Sequence, residues 1–110
     1  MATAQLLTIR EALRLTEKEP EVNRGWLYLP VGQWTLESQG IFFDPDINAR
    51  PGVDQTPDVI EANNWKLTLD TDLIDQIIFN AKAQKSDATI EELFQAFVYY
   101  YTNDAFLKFD

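Results

Sequence analysis

Trp65–Ile78 reads WKLTLDTDLIDQII, and its apolar period changes in the middle. Trp65, Leu67 and Leu69 alternate with polar residues, the two-residue period of a half-buried strand. From Asp70 the spacing lengthens. Leu73 or Ile74, then Ile77, Ile78, Ala81 and Lys85, trace one stripe of a helix. Asp70 or Thr71 supplies a side-chain oxygen for the helix start, and Asp72 and Asp75 suit its positive end. With a run of short strands before it and a second helix after it, the stretch reads as part of an α+β fold.

C-terminal to this stretch, Ser86-Asp87-Ala88 is a short break. Thr89-Ile90-Glu91-Glu92 has the spacing of a capping box, in which threonine and glutamate satisfy orphan backbone donors. Ile90, Leu93, Phe94, Phe97, Val98 and Tyr101 then recur on one face, the strongest helical pattern in the chain. Two helices on so short a connection pack antiparallel. Tyr99, Tyr100 and Tyr101 cannot all join one core. The phase predicts Tyr101 buried, Tyr100 partly buried and Tyr99 exposed. Tyr99 has two readings: it lies against the chain's own tail, Phe106 to Phe109, or it belongs to a binding surface, where tyrosine is enriched.

On the N-terminal side, Thr8-Ile9-Arg10-Glu11 is a second capping box, with Leu7 placed to staple it. The helix it opens fades at Lys18 or Glu19, because Pro20 disfavours helical geometry in the residue before it. Trp26–Leu29, Trp34–Glu37 and Ile41–Phe43 read as short strands, too closely connected for parallel crossovers. Residues 45–64 hold Pro45, Pro51, Gly52 and Pro57 and read as a long loop, with room for a helical turn at 58–63. The expected architecture is a single domain, residues 1–110. It has an N-terminal helix, a three- to four-stranded mainly antiparallel sheet, and two C-terminal antiparallel helices packed on the sheet. The expected core is Leu13, Leu27, Leu29, Leu36, Phe42, Leu67, Leu69, Ile74, Ile77, Ile78, Leu93, Phe94, Phe97, Val98 and Tyr101.

The composition argues against most chemistry. The chain has neither histidine nor cysteine. That removes the commonest general base, the thiolate nucleophile, disulfides and the usual zinc ligands. No phosphate-binding glycine loop appears. Asp44-Pro45-Asp46-Ile47-Asn48 opens like a calcium loop, but Ala49 and Gln55 stand where glycine and glutamate belong. The expectation is no cofactor, no metal and no enzymatic activity. No segment is apolar for the roughly 20 residues a membrane span needs, and no signal peptide is read at the start.

The net charge is −9, which disfavours phosphate backbones and so direct nucleic-acid binding. Residues 44–75 carry most of it, with eight acids against Arg50 and Lys66. Such a segment either keeps a solvated face soluble or attracts a basic partner.

Trp26-Leu27-Tyr28-Leu29-Pro30, Trp34-Thr35-Leu36-Glu37, Phe43-Asp44-Pro45-Asp46 and Tyr99 through Phe106 resemble a family of small acidic bacterial proteins of unassigned function. Some members of such families look like immunity proteins of polymorphic toxin and contact-dependent growth inhibition systems. The likeness runs from about residue 25 to residue 107 and carries no catalytic motif. It implies a cytoplasmic protein that binds and neutralises a cognate toxin domain, such as a basic nuclease; the expected state is a monomer or weak homodimer. The alternative is a regulatory or structural module that homodimerises or binds a peptide through an aromatic surface. The candidate contact residues are Asp44, Asp46, Asp54, Asp58, Glu61 and Tyr99, with Tyr28, Trp26 and Trp34 as further aromatic anchors, although tryptophans in such positions more often belong to a core.

Overall fold

The computed structural model describes residues 6–44 and 58–109. In chain order these form β1 (Leu6–Thr8), α1 (Ile9–Lys18), β2 (Trp26–Leu29), β3 (Gln39–Phe43), α2 (Asp58–Asn63), β4 (Lys66–Asp70), α3 (Thr71–Gln84) and α4 (Ile90–Asn103). The four strands make one sheet in the order β1-β3-β2-β4, and every neighbouring pair is antiparallel. The class is α+β, with both C-terminal helices packed on the sheet. Leu27, Leu29 and Leu69 join Ile9, Leu13, Ile74, Ile77, Leu93 and Phe97 in one buried cluster.

The helix starts follow the sequence closely. The Glu11 amide donates to Thr8 Oγ1 at 3.1 Å, and the Thr8 amide donates to Glu11 Oε1 at 2.8 Å. The same exchange joins Thr89 and Glu92. Asp70 caps α3 by accepting the Leu73 amide at 2.9 Å. At Glu92 the carboxyl is held below its ordinary range, chiefly by the hydrogen bond from Lys85 and then by the Thr89 amide. A carboxyl lowered in the folded state adds stability above its unfolded pKa of about 4.3 and loses it as pH falls through the lower folded value. Urea midpoints should therefore rise from about pH 3 to about pH 6. Glu92→Gln, which still caps but does not ionise, should flatten part of that rise.

Trp34–Glu37 is not a strand. Its apolar–polar alternation is folded into a turn closed by hydroxyls. The Thr35 amide donates to Ser38 Oγ at 2.8 Å, and the Glu37 amide to Thr35 Oγ1 at 3.2 Å. The turn also serves α1: the amides of Ile9 and Arg10 donate to the carbonyls of Ser38 and Leu36, both at 2.9 Å. Those are donors that a helix start cannot satisfy internally. Arg10 and Glu37 add an exposed ion pair across the same join, which solvent screening leaves a minor contribution.

β4 departs from simple alternation. Trp26 lies opposite Asp70 and Tyr28 opposite Leu67, so Leu27 faces two residues, Thr68 and Leu69. This is a β-bulge, which reverses the facing of the residues on either side of it. Thr68 and Leu69 are both buried while Leu67 is 41% exposed, against the core expectation for Leu67. Thr68 is tolerated inside because its hydroxyl donates to the Leu27 carbonyl at 2.5 Å. Leu36, Phe42, Phe94, Val98 and Tyr101, also expected in the core, are half-buried and pack at its margin.

Thr71, fully buried, ties the start of α3 to the sheet. Its hydroxyl accepts the Arg24 amide at 2.9 Å and donates to the Gly25 carbonyl at 3.0 Å. Thr71→Val keeps the shape and strands the Arg24 amide, so it should cost about 1–3 kcal/mol in chemical denaturation.

Candidate functional site

An open groove of about 600 Å³ lies where three pieces of chain meet: the turn at 32–34, the first residue of β4, and one flank of α4. That volume falls within the range of ligand-binding clefts. Trp34, Phe94, Val98, Tyr99 and Tyr101 supply its apolar walls, and Lys66 supplies its charge. Gln33, Gln95, Thr102 and Asn103 give it a polar border.

Each wall is held by local chemistry. Gly32 takes φ +109° in open space, a backbone setting that side chains rarely adopt. The chain then brings Trp34 back onto α4. The indole Nε1–H donates to the Pro30 carbonyl at 2.7 Å. The Trp34 ring lies 5.1 Å from Tyr101 and 6.0 Å from Phe97, both tilted, the spacing at which aromatic pairs attract. On the β4 side, α2 ends with Asn64 at φ 56°, and the Trp65 amide donates to the Ile60 carbonyl at 3.0 Å. This left-handed helix stop turns the chain sharply into β4 and delivers Lys66. The ammonium of Lys66 sits 5.2 Å from the Tyr101 ring centre and 5.8 Å from that of Trp34, within the reach of a cation–π contact.

The helix α4 is rotated slightly from its expected setting. Leu93, Ala96 and Phe97 face the core, so the centre of the buried stripe falls on Phe97. Phe94, Val98 and Tyr101 are turned toward the groove instead. The three tyrosines have separate tasks. Tyr100 meets Phe106 of the tail at 5.2 Å between ring centres. Tyr101 packs on Trp34. Tyr99, 38% exposed, lines the groove. The tail is fixed elsewhere, by the Phe109 amide donating to Gln84 Oε1 and by Gln84 Nε2 donating to the Leu107 carbonyl, both at 2.9 Å.

Of the residues singled out in the sequence, Tyr99 and Trp34 come together in this groove. Among the described residues no carboxylate lines the groove. Asp44 is half-buried directly after β3, Asp58 opens α2, and Glu61 is exposed on α2. Asp46 and Asp54, and the calcium-like positions from Pro45 to Gln55, lie outside the described residues. Trp26 and Tyr28 are half-buried on β2, away from the groove lining. Phe94, Val98 and Lys66 were missed as site residues. The first two carry a core signature in sequence, and nothing local marks Lys66.

Among the described residues no three acids gather closely enough to hold a metal ion, and no helix is long and apolar enough to cross a membrane. No curated protein and no solved structure matches the chain. A family match does cover residues 6–109, nearly the whole length, and the chain belongs to the family described as Domain of unknown function (DUF7716).

Proposed function

We propose that this chain is a non-catalytic protein-binding domain that seats side chains of a partner protein in the groove between Trp34 and α4. The observation that carries this reading is the groove itself. Five apolar or aromatic side chains from two separate segments converge there, and four of them, Trp34, Phe94, Val98 and Tyr101, pack on the core yet stay only partly buried. Tyrosine and tryptophan in such positions are the usual anchors of interfaces, because they bury much area for little lost conformational freedom.

The net charge of −9 favours a basic partner. Together with the sequence resemblance, it supports a cognate toxin domain that this chain neutralises in the cytoplasm as an immunity protein. Asp44, Asp46, Asp54, Asp58 and Glu61 would then meet the basic surface and speed the encounter.

Affinity capture from the native host tests both levels, with wild type and a Tyr99→Ala/Val98→Ser variant as parallel baits. The expected result is a protein held by wild type and lost from the variant; a basic toxin domain as that protein supports the immunity reading. Identical proteins on both baits would remove the groove from the function. A groove-dependent partner of acidic or neutral character would remove the toxin reading alone.

A further inference from the structure

The groove of an acidic chain is marked by a cation. Arg10, Arg24, Lys82 and Lys85 each pair with a glutamate. Lys66 has no such partner among the described residues, and neither do Arg14, Lys18 and Lys108, but of these Lys66 alone lines the groove, where its ammonium rests on the faces of Tyr101 and Trp34. A π face attracts the charge but leaves N–H donors of the ammonium unspent. A purely apolar occupant covering this site would strip water from those donors and give nothing back, a costly burial for a charged group. An occupant with a carboxylate would pair with the ammonium, and its apolar portion would lie on Phe94 and Val98.

We infer that the groove takes a segment of the partner protein in which an aspartate or glutamate stands beside a large apolar side chain, the carboxylate pairing with Lys66. This rests on the protein-binding reading above and names what that partner presents. It also makes two demands of opposite sign. Acids elsewhere on the chain favour a basic partner surface, whereas the groove selects one acidic residue within it.

The test is selection of a random heptapeptide phage library on the full chain, followed by titration of the enriched peptide into the ¹⁵N-labelled protein. The expected outcome is enrichment of sequences with Asp or Glu next to an aromatic or aliphatic residue. Amide shifts should centre on Lys66, Val98 and Tyr101. Replacing the peptide's acid by its amide should weaken binding about tenfold, the scale of one charge-assisted contact. Lys66→Gln should erase that difference while retaining the near-ultraviolet circular dichroism of the folded chain. Peptides that shift the groove residues but carry no acid, or that bind equally as acid and amide, would overturn the inference and leave the protein-binding reading standing. If no selected peptide shifts the groove, both fall.

Discussion

Gly25→Ala is expected to lower stability by about 3–5 kcal/mol, a large part of the roughly 5–15 kcal/mol available to a domain of this size. Two costs combine. Gly25 has φ +86°, where any side chain is strained. A Cβ there would also lie 2.8 Å from the Phe43 carbonyl carbon and from the Asp44 amide nitrogen and Cβ. The first two are backbone atoms at the end of β3, which is paired on both sides to β1 and β2. Nor can Gly25 retreat: its carbonyl accepts both the Thr71 amide at 2.9 Å and the Thr71 hydroxyl. Gly32→Ala is the matched control, since Gly32 also has positive φ but nothing within 4 Å of the added methyl. It should cost only the backbone strain, about 1–2 kcal/mol. Urea denaturation of the two variants measures the difference. Equal losses would show that the contact between the residue before β2 and the end of β3 is not as close as described.

The second large effect is expected at Phe97. Its side chain is fully buried in the cluster joining α1, α3, α4 and the sheet, and its ring also supports Trp34. Removing it leaves a cavity that rigid neighbours fill poorly, and Phe97→Ala should cost about 3–5 kcal/mol. Phe94, half-buried at the groove, should cost about 1–2 kcal/mol on the same change, because less apolar area returns to water. The comparison reads the rotation of α4 about its axis. If Phe94→Ala were the more damaging, α4 would have to turn so that Phe94 faces the core, and the groove would lose its floor.

The elements that were legible in sequence are those fixed by nearby residues. Both capping boxes, the Asp70 cap, the stop at Lys18 and the helix at Asp58–Asn63 appear where short-range chemistry places them. What escaped depended on distant partners. β1 is three residues long and exists because β3 offers it a ladder; before a capping box, Leu7 reads as a staple. Trp34–Glu37 alternates like a strand, yet its Leu36 carbonyl accepts the Arg10 amide and its Glu37 carboxylate accepts the Arg10 side chain, 27 residues earlier in sequence than Glu37. The bulge opposite Leu27 shifts the burial of Leu67 without any glycine or proline to announce it. The groove is the clearest case. The exposure of Tyr99 was legible from helical phase alone. Phe94 and Val98 carry the signature of a core stripe, and only the return of Trp34 and the placement of Lys66 convert that flank of α4 into the wall of a site.

The most direct measurement of the central claim is the affinity of the partner captured by the wild-type chain, by titration calorimetry, for wild type and two single variants on different surfaces. Tyr99 lines the groove; Phe79, 75% exposed on α3, does not. Both changes remove a large exposed ring and should leave the fold intact. Tyr99→Ala should weaken binding about tenfold or more, as loss of an interface anchor does, while Phe79→Ala should stay within about twofold of wild type. Undiminished affinity in Tyr99→Ala together with a large loss in Phe79→Ala would contradict the account and move the binding surface to the outer face of α3.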